Sequence, residues 1–196
     1  KSGDKVVSIL TAACGTCDRC LNGQEHRCRS GVGIGHGRSG GFAEYVALPE
    51  FSLVQVNDLL NDKLDLISAA LLACPMGVAL HAAQNVAQVQ SGETVVVTGA
   101  GGGLGVHALQ AAVSLGARVL AVTSSPEKLG PLADLGAEEI LHTEDLDFSE
   151  IVLALTEDEG VPVVLDTVGS PLFHSALRSL PQSGRLILRG EVAGDH

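Results

Sequence analysis

Four cysteines constrain this chain more tightly than any other feature. Cys14, Cys17 and Cys20 are each separated by two residues, and Cys28 follows after a gap of seven. One tight loop therefore carries three thiols, with a fourth close behind. Zinc takes four soft ligands at the corners of a tetrahedron, and such a loop supplies them without long-range folding. The competing readings are disulfides and free core cysteines. Three cysteines packed this closely strain disulfide geometry with one another. The spacing predicts a closed structural zinc site and is far more restrictive than a single Cys-x-x-Cys pair.

A second pattern begins at Glu93. Strand-like runs at Thr94–Thr98, Arg118–Thr123, Glu139–Leu141, Pro162–Asp166 and Arg185–Leu188 alternate with helical segments that begin near Leu104, Pro126, Asp147 and Leu172. Strands that are almost wholly apolar fit a parallel sheet covered on both faces, so the expected class is α/β with a doubly wound, Rossmann-like sheet. Upstream, Lys5–Leu10 and Phe42–Leu48 read as strands around the cysteine loop. Glycines crowd residues 31 to 41 and imply backbone freedom there. Asp58–Leu72 and Met76–Ala87 read as helices.

Gly99, Gly102 and Gly105 recur at three-residue spacing, directly after the first parallel strand and opening a helix. The chain must turn sharply there, let a pyrophosphate touch the backbone and pack helix on strand. The helix N-terminus then offers free N–H groups to phosphate. Gly101, Gly103 and Leu104 complete the candidate cofactor loop. A strict Gly-x-Gly-x-x-Gly is absent, because the first position holds Ala100. At the end of the second strand an acid would hold a ribose 2′-hydroxyl and repel a 2′-phosphate. None stands there: the run is Val122, Thr123, Ser124, Ser125, Pro126, Glu127, Lys128. Ser124 can bond a 2′-phosphate and Lys128 can pair with it, which favours NADP(H) over NAD(H). Helix capping by Ser125, with Pro126 at the first helical position, explains the Ser-Pro step equally well. Asp166 and Val168 close the fourth strand, where ligands sit in this fold, although an ordinary strand-end turn is the alternative.

Composition sets outer limits. A formal net charge of −11 argues against a phosphate-backbone partner, so nucleic acid is not expected. No apolar run reads as long enough to span a bilayer, so no membrane partner is expected. Thiols read as metal ligands favour a reducing, cytoplasmic setting. Lys1 reads as an internal starting point.

The chain resembles the zinc-dependent medium-chain alcohol dehydrogenase and quinone reductase superfamily. The cysteine spacing, Gly3 to Val7, Gly40 to Val46 (Gly-Gly-Phe-Ala-Glu-Tyr-Val) and Val95 to Gly105 carry the resemblance in family order. The glycine loop is closer to the quinone-reductase branch. The resemblance implies a partial GroES-like domain with the zinc lobe over residues 1–67, linking helices over 68–89, and a truncated dinucleotide-binding domain with five of six strands over 90–196. It implies hydride transfer between a nicotinamide cofactor and a small alcohol, aldehyde or ketone, in a homo-oligomer when complete. Cys74 matches the last catalytic-zinc ligand of the family; a small buried apolar residue is the alternative. The family's other two ligands precede the cysteine loop, so His36, which follows it, does not fit. His26 could donate to a thiolate, and His81, His107 and His174 read as packing or surface residues. Glu44 and Tyr45 are assigned no chemistry. Two other readings stay open: a zinc-free quinone or enoyl-thioester reductase, and a non-catalytic zinc- and nucleotide-binding chain, inactive alone.

Overall fold

The computed structural model describes residues 1–143 and 147–190. They form two compact units, Lys1–Cys74 and Pro75–His196.

The first unit is built from short strands. β1 (Val6–Ser8), β2 (Thr11–Ala12), α1 (Asp18–Leu21), β3 (Val32–Ile34), β4 (Gly37–Arg38) and β5 (Leu53–Gln55) follow in chain order. β1 pairs antiparallel with β5, and β3 joins β2 antiparallel and β4 parallel. The four-cysteine lobe, with α1 inside it, is the excursion between β2 and β3. Two expectations fail here. Residues 42–48 are not a strand: Phe42 and Tyr45 lie in the open, and the segment has no ladder partner among the described residues. A strand without a ladder leaves its backbone to water and gains no pairing energy. Residues 60–64 are not helical either. The Asn61 side chain accepts from the Lys63 and Leu64 N–H groups, at 2.8 and 3.2 Å, and that local turn competes with the helix. Helix resumes only at α2 (Leu66–Ala69), where the Asp65 carboxylate accepts from Ser68 N at 2.6 Å.

The second unit starts with α3 (Pro75–Leu80), which runs into a π-helical turn, His81–Val86. There follow β6 (Thr94–Thr98), α4 (Gly103–Ser114), β7 (Arg118–Thr123), α5 (Leu129–Asp134), β8 (Glu139–His142), α6 (Ser149–Leu155), β9 (Val163–Asp166), α7 (Phe173–Arg178) and β10 (Arg185–Leu188). The strands form one parallel sheet in the order β10-β9-β6-β7-β8. The doubly wound fold is thus observed, with the chain changing direction between β6 and β9. Side-chain alternation explains why the strands read as continuous apolar runs. Val95, Val97, Val119 and Leu165 pack with Leu109, Ala112 and Leu132 on one face. Val96, Leu120, Val122 and Val164 pack with Phe148, Val152 and Leu172 on the other.

One helical stretch of 21 residues, Leu66–Val86, is long and apolar enough to cross a membrane by length and composition, with a mean hydropathy of 1.8 in its most apolar part. The expectation of no such run is corrected to that extent. Much of its apolar character is alanine; α3 lies against α4, and Ala79, Ala82 and Ala83 are buried.

Just before α6, the Asp147 carboxylate accepts from Ser149 N and Oγ, at 3.0 and 2.6 Å, and from the Arg178 guanidinium. These bonds, Ser149 first, hold its pKa well below the ordinary carboxylate range. A carboxylate depressed by folding stabilises the fold above its unfolded pKa near about 4, and that contribution is lost as pH falls toward the folded value. Asp147→Asn is therefore expected to lose less melting temperature than the parent between pH 7 and pH 3. Equal losses in the two proteins would show that Asp147 carries none of the acid sensitivity.

Candidate functional site

Two candidate sites emerge, one in each unit. In the first, the sulfur atoms of Cys14, Cys17, Cys20 and Cys28 all lie within 4.8 Å of one another. Sγ separations are 3.9 Å for Cys14–Cys20, 3.5 Å for Cys17–Cys20 and 3.9 Å for Cys17–Cys28. A tetrahedron with metal–sulfur bonds of about 2.3 Å has edges of about 3.8 Å, so the residues fit a closed zinc site. Backbone N–H groups already point at the sulfurs. Cys14 N donates to Cys28 Sγ at 3.3 Å, and Thr16 N and Cys17 N donate to Cys14 Sγ at 3.4 and 3.3 Å. Such donors orient thiolates for a cation. The Thr16 backbone, with its hydroxyl and the Cys17 N–H, pulls the Cys14 thiol down to about 5. Burial, aided by the neighbouring thiols, pushes Cys20 up to about 12. The lobe is closed on its outer side by a two-pronged Arg29–Asp18 pair at 2.7 and 2.8 Å.

Cys74, only partly buried, belongs to no second cluster of His, Cys, Asp or Glu among the described residues. His36 and His26 are exposed and lie outside the four-sulfur group. The described residues show no second ligand cluster around Cys74.

The second site is a cleft of about 380 Å3 at the carboxyl ends of β6 and β7. Gly99, Gly101, Gly102, Gly103, Leu104, Ser124, Ser125, Lys128 and Val168 all line it. Its floor is a backbone surface. Gly99 has φ +58°, and a Cβ there would stand 2.7 Å from Val168 Cγ2. A Cβ at Gly105 would stand 2.1 Å from the Gly99 carbonyl oxygen, so only glycine lets α4 start this close to the strand end. Gly102 N donates to Gly99 O at 2.8 Å and closes the turn. The first-turn N–H groups of α4 have no intrahelical acceptor, which suits an anion. Lys128 Nζ donates to Gly101 O at 2.9 Å, laying its stem over the loop. Among the described residues, Lys128 is the single charged side chain of this lining, and no described carboxylate faces the cleft.

Capping does not account for the Ser-Pro step in full. Pro126 stands at the start of a short 3-10 turn, but the Ser125 hydroxyl makes no capping bond. Gly105 and Asp166 do not line the cleft: Gly105 is packed under the loop, and Asp166 is fully buried at the end of β9. The sequence reading missed Val122, Thr123, Thr143, Thr167 and Leu172, which complete the lining. Their signal was positional, since four of them stand at or just beyond the carboxyl ends of parallel strands.

Comparison with known proteins agrees with both halves. Residues 1–58 match the alcohol dehydrogenase GroES-like domain, and residues 103–195 match the zinc-binding dehydrogenase domain. The chain is 38% identical over 190 residues to the acryloyl-coenzyme A reductase of Metallosphaera sedula, covering 97% of this chain and 54% of that protein. It is 33% identical over 195 residues to the L-threonine 3-dehydrogenase of Vibrio parahaemolyticus, covering 98% and 54%. Among solved structures, AibC superposes with a TM-score of 0.88 at 34% identity, covering 97% of this chain and 52% of that one. The alcohol dehydrogenase TADH of Thermus sp. ATN1 gives 0.85 at 29% identity, covering 100% and 58%. The chain spans about half the length of the curated relatives it matches.

Proposed function

This chain belongs to the zinc-type medium-chain dehydrogenase/reductase superfamily, and on that premise we propose that it serves hydride transfer between NADP(H) and a small alcohol or carbonyl compound. One observation carries the reading: a glycine-built cleft, with no carboxylate among its described lining residues, opens at the strand ends where the sheet changes direction. The dinucleotide supplies the hydride chemistry when bound. The chain's own residues supply its placement. Gly101 to Gly103 and the α4 N-terminus take the pyrophosphate. Ser124, Ser125 and Lys128 take a ribose 2′-phosphate, while Val122, Thr143 and Leu172 wall the cleft. The four-cysteine lobe holds a structural zinc and has no part in the chemistry. Cys74 is offered as a catalytic-zinc ligand of the complete protein, and no step is routed through it. A cytoplasmic setting follows from the need to keep four thiols reduced.

A second reading, reduction of an enoyl thioester without a catalytic zinc, is favoured by three observations. The glycine loop has Ala100 at its first position, and an acryloyl-coenzyme A reductase is among the relatives. Cys74 also stands alone among the described residues.

Nicotinamide fluorescence titration tests the cofactor reading. The chain is expected to bind NADPH more tightly than NADH. A charge-assisted phosphate contact is worth about 1.5–3 kcal/mol, so Lys128→Gln should weaken NADPH by roughly tenfold to a hundredfold. NADH binding should change by less than about threefold, since it makes no such contact. Equal losses for both cofactors would assign Lys128 to the loop alone and remove the NADP preference.

A further inference from the structure

Asp166 is used by nothing described so far. Its carboxylate is 0% exposed, yet neither Lys nor Arg pairs with it among the described contacts. It is satisfied by hydrogen bonds: from Thr98 Oγ1, from Val168 N at 2.9 Å and from Gly169 N at 3.2 Å. A buried acid is tolerated only when such donors surround it, and an apolar residue here would leave two of those N–H groups orphaned.

The bonds run between two strands that face each other in register. Thr98 ends β6 and Asp166 ends β9, and the two are ladder partners. These strands flank the point where the sheet changes direction. Thr98 completes the clip from the other side. Its hydroxyl accepts from Thr167 N at 3.1 Å, and its carbonyl accepts from Thr167 Oγ1 at 2.7 Å. The turn of residues 167–169 is thereby pinned to the strand that feeds the glycine loop. Val168 and Thr167 press on Gly99, where a Cβ would lie within 2.7 and 2.9 Å of them.

This turn is also a partition. On one side is the glycine-loop cleft, with Thr167 and Val168 in its wall. On the other is a second cavity of about 270 Å3, lined by Gly169, Ser170, Phe173, His174, Leu188 and Gly190. Residue 168 faces the first space and residue 169 the second, and the Asp166 carboxylate holds the N–H of each.

We propose that Asp166, clipped to Thr98, is a positioning residue: it sets the turn 167–169 at the height that lets one dinucleotide pass from the glycine-loop cleft into the second cavity. The inference rests on the dinucleotide reading above. It divides the ligand into two halves with different sensitivities. The phosphoadenosine half sits against Ser124, Ser125 and Lys128, away from the partition. The other half must cross it.

The test compares NADPH with 2′,5′-ADP, which is only the phosphoadenosine half, on the parent chain and on Thr98→Val, Thr98→Ser and Asp166→Asn. Thr98→Val removes the hydroxyl at nearly constant shape, and Thr98→Ser keeps it. Loss of the clip removes one or two buried hydrogen bonds, so NADPH should weaken roughly tenfold or more in Thr98→Val and Asp166→Asn. The same variants should hold 2′,5′-ADP within about threefold, and Thr98→Ser should restore NADPH binding. General loosening of the fold would weaken both ligands together, and that result overturns the proposal. So does unchanged NADPH binding in Thr98→Val. If Asp166→Asn does not fold, the two Thr98 variants still decide. A parent chain that binds neither ligand sinks the dinucleotide reading itself, a failure distinct from an unaltered ratio.

Discussion

Cys17→Ser is expected to empty the lobe between β2 and β3 and to unfold it. Elemental analysis should fall from one zinc per chain to none, and a protease should then cut within residues 14–31. The expected effect is large because the lobe has little else to hold it. Cys20 is the single buried apolar residue between positions 14 and 31. Structural zinc contributes about 10–16 kcal/mol of apparent binding energy in peptides of this kind, far more than so small a core could. Two zinc ions in the parent chain would mean that Cys74 has found partners. None in a folded sample would overturn the reading of the four cysteines.

Gly105→Ala is expected to be among the most damaging conservative substitutions in the second unit. Its new methyl would stand 2.1 Å from the Gly99 carbonyl oxygen and 2.8 Å from Ala100 Cα. Both are backbone atoms of the strand-to-helix turn and cannot rotate aside. Either α4 moves off the sheet or the glycine loop opens, and both disturb the cleft. A loss of roughly 3 kcal/mol or more is expected, with NADPH affinity lost alongside. Gly103→Ala, two residues earlier, is the control, since a Cβ there meets nothing within 4 Å. It should melt close to the parent. If the two variants melted alike, close packing under the loop would not be what demands glycine at 105.

The second unit was legible because its signals are local. β6, β7 and β10 fall where the apolar runs stand, since a parallel sheet covered on both faces favours apolar side chains along its strands. The zinc lobe was legible for a similar reason, with all its ligands on neighbouring turns. The first unit was read less well. Phe42 to Leu48 has strand composition, but composition does not supply the neighbouring strand that pairing needs. Asn61 broke a helical pattern through two side-chain bonds that periodicity does not register. At the cleft, Asp166 was picked by its place at a strand end. Its burial, and its hold on Thr98, depend on register between strands 68 residues apart in the chain. No spacing rule reaches that far.

The outermost cysteines of the lobe, Cys14 and Cys28, are 14 residues apart. Closing so short a loop loses little chain entropy, and none of the ligands waits for a distant strand. The parallel sheet is the opposite case, since β6 must wait for β9, which lies dozens of residues later. Metal capture can therefore precede the rest of the fold. A ribosome-bound chain that had emerged through Cys28 would already carry all four ligands, so zinc capture by the lobe does not wait for the parallel sheet.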